Sequence, residues 1–519
     1  MTSKPIQPLA SSSSKRWVNL ICSGVLTLGL AAGCAGTGEK ASSSGENSGE
    51  NAGVGKPYKL SIALRQVGDI PAKGNEVEQA IEKYTNTELA IQWIPQAAFD
   101  DKINVMIASN ELPQILKVNY VPNVMNAARN GLFWELGPYL KDYPNLAAQD
   151  QRYYDNIKID GKLFGIPNYR DIGRAAVVYR KDWFDKAGLT LPATMDDWYN
   201  VMKAFSESDP DGNGKQDSYG TMLFKNYNAG TQPVITRLAV SIGGVNRWGE
   251  DNGKFTPEFK TQPYMDVLQL FRKLYADKLI NQDFAVYDVT ELDKAMYDGR
   301  VGMRLNVSAQ NVQSYSVAMK DTIPTAEWDI APFAGPDGPR IAGEPGNFGF
   351  LAIPKSAVKD EAELKRVLTF LDKLMDEPMS TLQMRGIEGK HYEVVDGTKT
   401  KFTDFALFQR EVKPYRDGLL NIEGYNVPEI DDTPIALKGT KMARDNVQYA
   451  VPNPALTLNS PTYNERGVEL DLIIRDAETK YIMGQIDDAG FQAEVDKWAK
   501  AGGDAVVKEY ESSFVELGG

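Results

Sequence analysis

Residues 58–118 read YKLSIALRQVGDIPAKGNEVEQAIEKYTNTELAIQWIPQAAFDDKINVMIASNELPQILKV. Apolar residues at every second position predict strands, and apolar residues spaced i, i+3, i+4 and i+7 predict helices. These patterns predict strands over 58–64, 89–93 and 114–118, a helix over 77–84 capped by Asn75, and a helix over 103–108 capped by Asp100. Strands alternating with helices through short connections are typical of a mostly parallel, helix-covered sheet, so the predicted fold class is α/β.

The carboxyl ends of these strands are the expected ligand edge, since open α/β sheets bind ligands there. Asn119 and Tyr120 directly follow the third predicted strand. Farther along the chain, Trp183 and Trp198 lie inside helical patterns, which favours core packing for both. The C-terminal third changes to helical spacing, with predicted helices over 363–374, 463–483 and 505–510.

Composition excludes several classes of protein and site. The 519 residues allow roughly two to four domains, and the net charge of −13 offers no electrostatic footprint for a general nucleic-acid binder. Both cysteines, Cys22 and Cys34, lie near the N terminus, and His391 is the single histidine. The body of the chain therefore has neither a cysteine framework nor a multi-histidine metal site.

The first 56 residues are predicted to direct and tether the protein. Basic residues precede an apolar run over 17–30, and the segment ends at Leu30-Ala-Ala-Gly-Cys34. This order is typical of an export signal, and its end resembles the lipobox of bacterial lipoproteins, although Ala31 stands where a leucine is usual. The resemblance implies cleavage after residue 33 and acylation of Cys34; the alternative is a plain secretory signal. Residues 35–56 form a Gly- and Ser-rich tether.

Six segments of the body resemble the oligosaccharide-binding lipoproteins of Gram-positive bacteria, which are extracellular solute-binding proteins of ABC importers. Each segment alone is weak evidence for the family. Their order over roughly 450 residues, behind a lipobox, strengthens the resemblance. The segments are DDKINVMIASNELPQ over 100–114, IDGKLFGIPNY over 159–169, VVYRKDWFDKAG over 177–188, MYDGRVGM over 296–303, GFLAIPK over 349–355 and GIEGKHY over 386–392.

The resemblance implies two α/β lobes that clamp a ligand by hinge closure. The crossovers would lie near 169–174 and 347–353, with lobe one over 57–170 and 347–400 and lobe two over 171–346 and 401–519. The implied protein is a monomer on the extracellular face of the cytoplasmic membrane. It would be anchored in membrane lipid through Cys34, would deliver an oligosaccharide to ABC permease subunits, and would perform no chemistry itself.

Residues 209–220, DPDGNGKQDSYG, match nine positions of an EF-hand-like loop. A structural Ca²⁺ would take oxygen atoms from alternating residues, with Gly214 allowing the sharp turn. Gly220 stands where the pattern has a bidentate carboxylate, so another residue or water must complete the shell. The alternative is a metal-free turn held by its own side-chain hydrogen bonds. The predicted ligands are Asp209, Asp211, Asn213, the Lys215 carbonyl, Asp217 and Ser218.

Sugars present apolar faces and hydroxyl edges, so their binders combine aromatic rings with amide, carboxylate or guanidinium groups. Aromatic residues beside polar neighbours in predicted loops are therefore the candidates, and Tyr169, Arg170 and Trp248 are the strongest of them. For each residue the alternative is a capped loop or a packing aromatic. The predicted ligand contacts are Asn119, Tyr120, Tyr169, Arg170, Asp171, Asn228, Arg247, Trp248, Asn306, Gln310, Asn347, His391 and Tyr392.

Two other functions remain open from the sequence. A surface glycoside hydrolase needs two carboxylates about 5–10 Å apart, and 70 acidic residues allow many such pairs. However, the chain has no G-x-S-x-G, P-loop or H-E-x-x-H motif. A solute-sensing module on the same fold would partner a receptor instead of a permease. Binding without turnover is the favoured interpretation.

Overall fold

Three of the five strands of the first sheet are those that the sequence predicts. The computed structural model describes residues 56–66, 68–420, 422 and 426–519. Tyr58–Arg65 pairs in parallel with Thr87–Ile94 on one side and with Ile115–Val118 on the other. The helix Glu76–Thr85 connects the first two strands, and the Asn75 side chain accepts hydrogen bonds from two N–H groups of its first turn, as predicted.

The strands of the described residues are numbered along the chain. They are β1 (Tyr58–Arg65), β2 (Thr87–Ile94), β3 (Ile115–Val118), β4 (Gly165–Tyr169), β5 (Ala175–Arg180), β6 (Trp248–Asp251), β7 (Lys254–Pro257), β8 (Met303–Ser308), β9 (Trp328–Ala331), β10 (Ala334–Gly335), β11 (Gly338–Pro339), β12 (Ile341–Ala342), β13 (Asn347–Ala352), β14 (Tyr392–Val395), β15 (Lys399–Phe402) and β16 (Ala450–Val451).

The α-helices of the described residues are numbered in the same way. They are α1 (Glu76–Thr85), α2 (Phe99–Ser109), α3 (Pro122–Arg129), α4 (Pro144–Ala147), α5 (Gln151–Asp155), α6 (Lys181–Ala187), α7 (Met195–Glu207), α8 (Val234–Ser241), α9 (Gln262–Ala276), α10 (Val289–Tyr297), α11 (Asn311–Met319), α12 (Glu361–Lys373), α13 (Glu377–Arg385), α14 (Phe405–Glu411), α15 (Lys413–Leu419), α16 (Pro434–Asp445), α17 (Pro461–Ile482), α18 (Asp488–Trp498) and α19 (Asp504–Glu516). None of them combines the length and apolar character needed to cross a bilayer.

One predicted helix start is wrong. Asp100 does not cap α2, because a 3₁₀ turn over Gln96–Ala98 runs directly into the helix and Phe99 is already helical. Asp100 lies in the first turn, where its charge still favours the helix dipole. The predicted core positions of Trp183 and Trp198 are confirmed, since each is 1% exposed.

The chain passes between two sheets. The first has the order β2-β1-β3-β13-β4, with β13 antiparallel to both neighbours, and the second has the order β8-β5-β9. The chain leaves the first sheet after Tyr169, enters the second at Ala175 and returns at Asn347. Both sheets belong to one compact unit. The first sheet is the α/β layer predicted from residues 58–118.

Each sheet lies on a hydrophobic core of its own. The first core takes residues from 60–166 and 350–419, and the second core takes residues from 175–341 and 455–510. A smaller third core covers the other face of β5 and β8. The lobe boundaries stay predictions. Because Phe408, Val412, Tyr415 and Leu419 pack into the first core, we propose to move the end of lobe one from residue 400 to about residue 420.

A buried ion-pair triad fixes the connections between the sheets. Glu344 accepts hydrogen bonds from Arg174 (Nε to Oε2, 2.5 Å) and from Arg237 (Nη2 to Oε1, 3.0 Å). Arg237 also donates to the carbonyl groups of Leu305 and Val307 in β8, at 2.7 and 2.8 Å. Burial lowers the pKa of Arg237 to about 10, while Glu344 acts in the opposite direction. The triad thus ties both crossing segments to α8 and the second sheet.

We expect Glu344→Gln to destabilise the protein by about 3–5 kcal/mol, because it leaves two buried guanidinium groups without a counter-charge. Urea unfolding measures this change. The matched control is Glu361→Gln, which removes an exposed carboxylate paired with Lys365 and should change stability by about 0.5 kcal/mol or less. Equal effects of the two variants would contradict a structural role for the triad.

Candidate functional site

A cavity lies where the crossing segments meet the second lobe. Its volume is about 290 Å³. Arg152 of α5 and Asn156, which follows that helix, line it from one side, and Ile172 and Glu344 line it from the crossing segments. The rest of the wall comes from the second lobe and from the segment after β16, and it consists of Gly230, Thr231, Pro233, Asn246, Arg247, Ala342, Gly343, Pro345, Ala450, Pro452, Asn453 and Leu456.

A second cavity of about 530 Å³ continues the first into the second lobe. The two share Gly230, Arg247, Asn453 and Leu456, so they form one continuous cleft. We call the deeper part the aromatic cavity, because five rings line it. They are Trp248, Phe259, Tyr463, Trp498 and Tyr510.

Perpendicular ring contacts hold this aromatic wall in place. Trp248 begins β6 and packs edge-to-face on Tyr510 of α19, with ring centroids 5.0 Å apart. Phe259 packs in the same way on Trp498 at the end of α18, at 4.9 Å. Edge-to-face pairs are favourable, and in these two pairs Trp248 and Phe259 are the partly exposed rings, while Tyr510 and Trp498 are buried behind them. The wall can therefore stack against a ligand with flat apolar faces.

Arg247 stands at the junction of the two parts of the cleft. Its guanidinium pairs with Glu258 at 3.2 Å and donates to the carbonyl group of Gly230 at 3.0 Å. The Arg247 backbone has a positive φ of 64°, a strained conformation for a side chain of this size. Burial acts to lower the pKa of Arg247, but Glu258 and other nearby acids leave it raised. Arg247 is thus a fixed, charged hydrogen-bond donor.

Two acids line the aromatic cavity, Glu478, which is buried, and Asp471, which is exposed. Glu478 accepts hydrogen bonds from the Tyr264 hydroxyl group and from Asn228. Burial, with a smaller contribution from Glu258, raises the pKa of Glu478 to about 7. Asp471 accepts a hydrogen bond from the Tyr463 hydroxyl group at 2.9 Å, and desolvation of the carboxylate raises its pKa too. These oxygen atoms suit the hydroxyl groups of a ligand.

Three of the residues predicted to contact ligand line this cleft. Arg247 lines both parts, and Asn228 and Trp248 line the aromatic cavity. The Asn228 side chain is already engaged: its amide nitrogen donates to Tyr264 at 2.8 Å and its oxygen accepts from the N–H of Ile235 at 3.1 Å. Asn228 therefore holds neighbouring protein groups in place.

A second group of predicted residues lies at the first crossing segment. Asp171 accepts hydrogen bonds from the Tyr169 hydroxyl group (2.8 Å) and from Gln310 (2.9 Å), so it links β4 to the segment after β8. Arg170 stacks on the Phe348 ring, with its guanidinium carbon 4.3 Å from the centroid. Asn347 holds the turn before β13 through bonds to Pro345 and Gly349.

The remaining predicted residues line neither part of the cleft. The Asn119 amide donates to Asp100 at 2.7 Å, and the Tyr120 hydroxyl group donates to the carbonyl group of Lys158 at 2.7 Å. Asn306 is buried in β8. His391 is fully buried, its Nδ1 accepts from the N–H of Ile387 at 3.0 Å, and Tyr392 beside it is buried as well.

The loop over 209–217 folds around Asn213. The Asn213 amide nitrogen donates to Asp211 (2.8 Å) and to Asp217 (3.2 Å), while Asp209 accepts from the N–H of Gly214 at 2.9 Å. The described residues include no cluster of three or more His, Cys, Asp or Glu side chains that could hold a metal ion. At Gly220 a Cβ atom would lie 2.7 Å from the Cα of Met202, so close packing excludes a carboxylate side chain there.

Comparison with known proteins identifies the family. The family model of bacterial extracellular solute-binding proteins matches residues 69–378. This chain belongs to that family. The resemblance in the sequence is therefore confirmed.

Two curated relatives extend over most of this solute-binding protein. The polygalacturonan/rhamnogalacturonan-binding protein YtcQ of Bacillus subtilis is 38% identical over 96% of this chain and 99% of its own length. Lipoprotein LipO of the same organism is 37% identical over 84% of this chain and 88% of its own length. Similarity at this level over most of the chain supports the same family assignment.

A solved structure supports the two-lobed α/β fold. The HMO-binding, ABC-transporter-associated solute-binding protein of Bifidobacterium longum infantis superimposes with a TM-score of 0.69 and 19% identity, covering 89% of this chain and 99% of that one. The predicted fold class is thereby confirmed for this solute-binding protein. Sequence analysis missed Phe259, Tyr463, Trp498 and Tyr510, since aromatic residues in helical patterns look the same whether they face a core or a cavity.

We expect the solute-binding protein to lose stability as pH rises from about 4.5 to about 7. The folded protein keeps the Glu478 proton in this window, whereas the unfolded chain releases it, so rising pH favours unfolding by about 1.4 kcal/mol per unit of pKa shift. Glu478→Gln mimics the protonated acid and should flatten this part of the profile.

The measurement is the free energy of unfolding in urea at several pH values. Asp471, Glu258, Arg247 and Tyr264 are neighbouring titratable groups and remain in the variant. The change in unfolding free energy with pH should therefore be smaller in Glu478→Gln than in the wild type, but not zero. If stability depends on pH in the same way in Glu478→Gln and in the wild type, Glu478 is not the group responsible.

Proposed function

We propose that this solute-binding protein captures an oligosaccharide in its cleft and delivers it to the permease subunits of an ABC importer. The observation that carries the proposal is the aromatic wall beside fixed polar groups, continuous with a cavity at the crossing segments. Sugars need this combination, because rings cover their apolar faces while Arg247 and the acids meet hydroxyl groups. The name of YtcQ supports a ligand derived from a polysaccharide.

We further propose that the protein works without chemistry and from a membrane anchor. Closure of two lobes around a ligand gives a permease a way to distinguish loaded from empty protein. Cys34, the proposed acylation site, and the tether after it fall outside the described residues; the name of lipoprotein LipO supports the anchor. Anchoring at the outer face of the cytoplasmic membrane would keep the protein, as a monomer, near its permease.

The direct test is calorimetric titration of the mature chain, residues 34–519 with Cys34→Ser, against a panel of neutral and acidic oligosaccharides. Saturable one-to-one binding with recovery of intact sugar supports the proposal. Recovery of shortened sugar would instead assign the protein to the glycoside hydrolases. Absence of binding across the panel would overturn the carbohydrate assignment.

We expect Trp248→Ala to weaken binding of the best oligosaccharide about tenfold or more, because it removes a ring face and its packing on Tyr510. The matched control is Phe405→Ala on α14, which removes an aromatic side chain that is 52% exposed and lies outside the cleft. The control should bind like the wild type. Equal affinities of both variants would show that Trp248 does not contact the sugar.

We also propose that the loop over 209–217 binds a structural Ca²⁺. Asp209, Asp211 and Asp217 supply carboxylates, the Lys215 carbonyl and Ser218 supply further oxygen atoms, and the Ser218 hydroxyl group is buried without a hydrogen-bond partner among the described residues. Lys186 donates to two carbonyl groups at the start of the loop, which helps to hold it on α6. Oxygen-only donors suit a hard cation.

If the loop binds Ca²⁺, chelation should lower the melting temperature and added Ca²⁺ should restore it, since a ligand of the folded state stabilises that state. Asp209→Asn should reduce the Ca²⁺-dependent shift. Asp321→Asn, an exposed acid outside the loop, should leave it intact. A melting temperature independent of chelator and Ca²⁺ would favour the metal-free turn.

A further inference from the structure

Three cationic side chains surround one aromatic ring at the edge of the first sheet. The guanidinium carbons of Arg170 and Arg65 lie 4.3 and 4.7 Å from the centroid of the Phe348 ring, and the Lys117 ammonium nitrogen lies 5.3 Å from it. We call Arg65, Lys117 and Arg170 the cationic cluster. Such a concentration of positive charge stands out in a chain with a net charge of −13.

The topology of the sheet brings the cluster together. Arg65 ends β1, Lys117 lies near the end of β3 and Arg170 directly follows β4. These strands run in the same direction, because β1 is parallel to β3 while β13 is antiparallel to β3 and β4. Phe348 is near the start of β13, so it lies at the same edge. This carboxyl edge is where open α/β sheets bind ligands.

The described residues provide no counter-charge for the cluster: none of its three side chains forms an ion pair there. Two acids influence Arg170, and both are committed elsewhere. Glu344 is shared by Arg174 and Arg237, and Asp417 pairs with Arg416 at 2.7 Å and with Lys413 at 3.4 Å. The Phe348 ring offers only a partial cation–π compensation.

The charges are also partly removed from water. Lys117 is 1% exposed and donates one hydrogen bond, to the carbonyl group of Phe348. The Nε atom of Arg65 is buried without a hydrogen-bond partner among the described residues. Burial, reinforced by the neighbouring cations, lowers the pKa of Lys117 and lowers that of Arg170 to about 10. An anion beside Arg65 and Arg170 would supply the counter-charge that the cluster lacks.

The cluster adjoins the cleft. The Arg170 N–H donates to the carbonyl group of Gly346 at 3.1 Å. Pro345, which precedes Gly346, and Ile172, two residues after Arg170, both line the cavity at the crossing segments. A ligand held in that cavity can therefore extend toward the cluster along the first crossing segment.

We infer that Arg65, Lys117 and Arg170 form a subsite for a carboxylate of the bound sugar, and that the ligand is an acidic oligosaccharide containing uronic acid. The inference rests on the proposed function and specifies its substrate class. Guanidinium groups bind a carboxylate through two parallel hydrogen bonds, and the planar Arg side chain is suited to this geometry. The Phe348 ring positions the cations, and the aromatic cavity binds another part of the chain of sugars.

The test compares two ligands that share their sugar backbone and differ in the charge of their carboxyl groups. A trimer of galacturonic acid and the same trimer fully methyl-esterified are titrated into the mature chain by calorimetry. We expect the acid to bind at least about tenfold more tightly than the ester. The advantage should shrink as the salt concentration rises, because salt screens the attraction between charges that water reaches.

Variants locate the effect. Arg170→Gln and Arg65→Gln should each weaken binding of the acid about tenfold and leave binding of the ester unchanged. The matched control is Arg410→Gln on α14, an exposed arginine outside the cluster, which should bind both ligands like the wild type. Melting temperatures close to that of the wild type show that the variants are folded. Losing the preference for the acid while still binding the ester is a result that misfolding does not produce.

The outcomes separate the two proposals. Equal binding of acid and ester, or a preference for the acid that survives in both variants, would overturn the carboxylate subsite and leave oligosaccharide binding in place. If the protein binds a neutral oligosaccharide and neither trimer, the carboxylate subsite is likewise overturned and oligosaccharide binding stands. Failure of the wild type to bind any saccharide would overturn both proposals.

Discussion

The buried carboxylate of Glu344 between Arg174 and Arg237 is the constraint on which the arrangement of the two sheets depends. Taking one carboxylate and two guanidinium groups out of water is costly unless their geometry is kept. The three residues come from the first crossing segment, the second crossing segment and α8. Since Arg237 also donates to β8 carbonyl groups, the crossing segments cannot shift relative to the second sheet without exposing or unpairing a buried charge. The backbone pairing of β12 with β16 reinforces the same region.

The cleft takes its chemistry from this arrangement. Glu344 forms part of the wall at the crossing segments, so the group that fixes the backbone also faces the ligand space. The second lobe contributes aromatic rings and acids to the cleft, and the carboxyl edge of the first sheet carries cations next to it. A single ligand that spans both regions meets rings, acids and cations in turn. This asymmetry gives the cleft a direction, which a chain of sugars with distinct ends can follow.

The predicted elements that proved correct share one property: their pattern is local. The alternation over 58–64 and the helical spacing after Asn75 need only near neighbours to be recognised, and β1 and α1 appear as predicted. Asp100 does not cap α2 because a 3₁₀ turn precedes the helix, which already begins at Phe99. The spacing of apolar residues does not reveal this turn. His391 was selected as a polar residue in a loop, and the fold buries it completely. Polarity of a residue thus predicts poorly whether it faces a ligand, since buried polar groups satisfied by the backbone look the same in sequence.

The sequence by itself determined the α/β class, which follows from periodicity between neighbouring residues, and the family, which follows from six short segments that resemble known proteins. Tertiary structure alone decided which side chains share the cleft. Trp248 contacts Tyr510, which lies more than 250 residues later in the chain. Arg65, Lys117 and Arg170 lie at the ends of three strands and surround Phe348 on a fourth. Such contacts are set by strand order and by the packing of distant helices, and no local spacing records them.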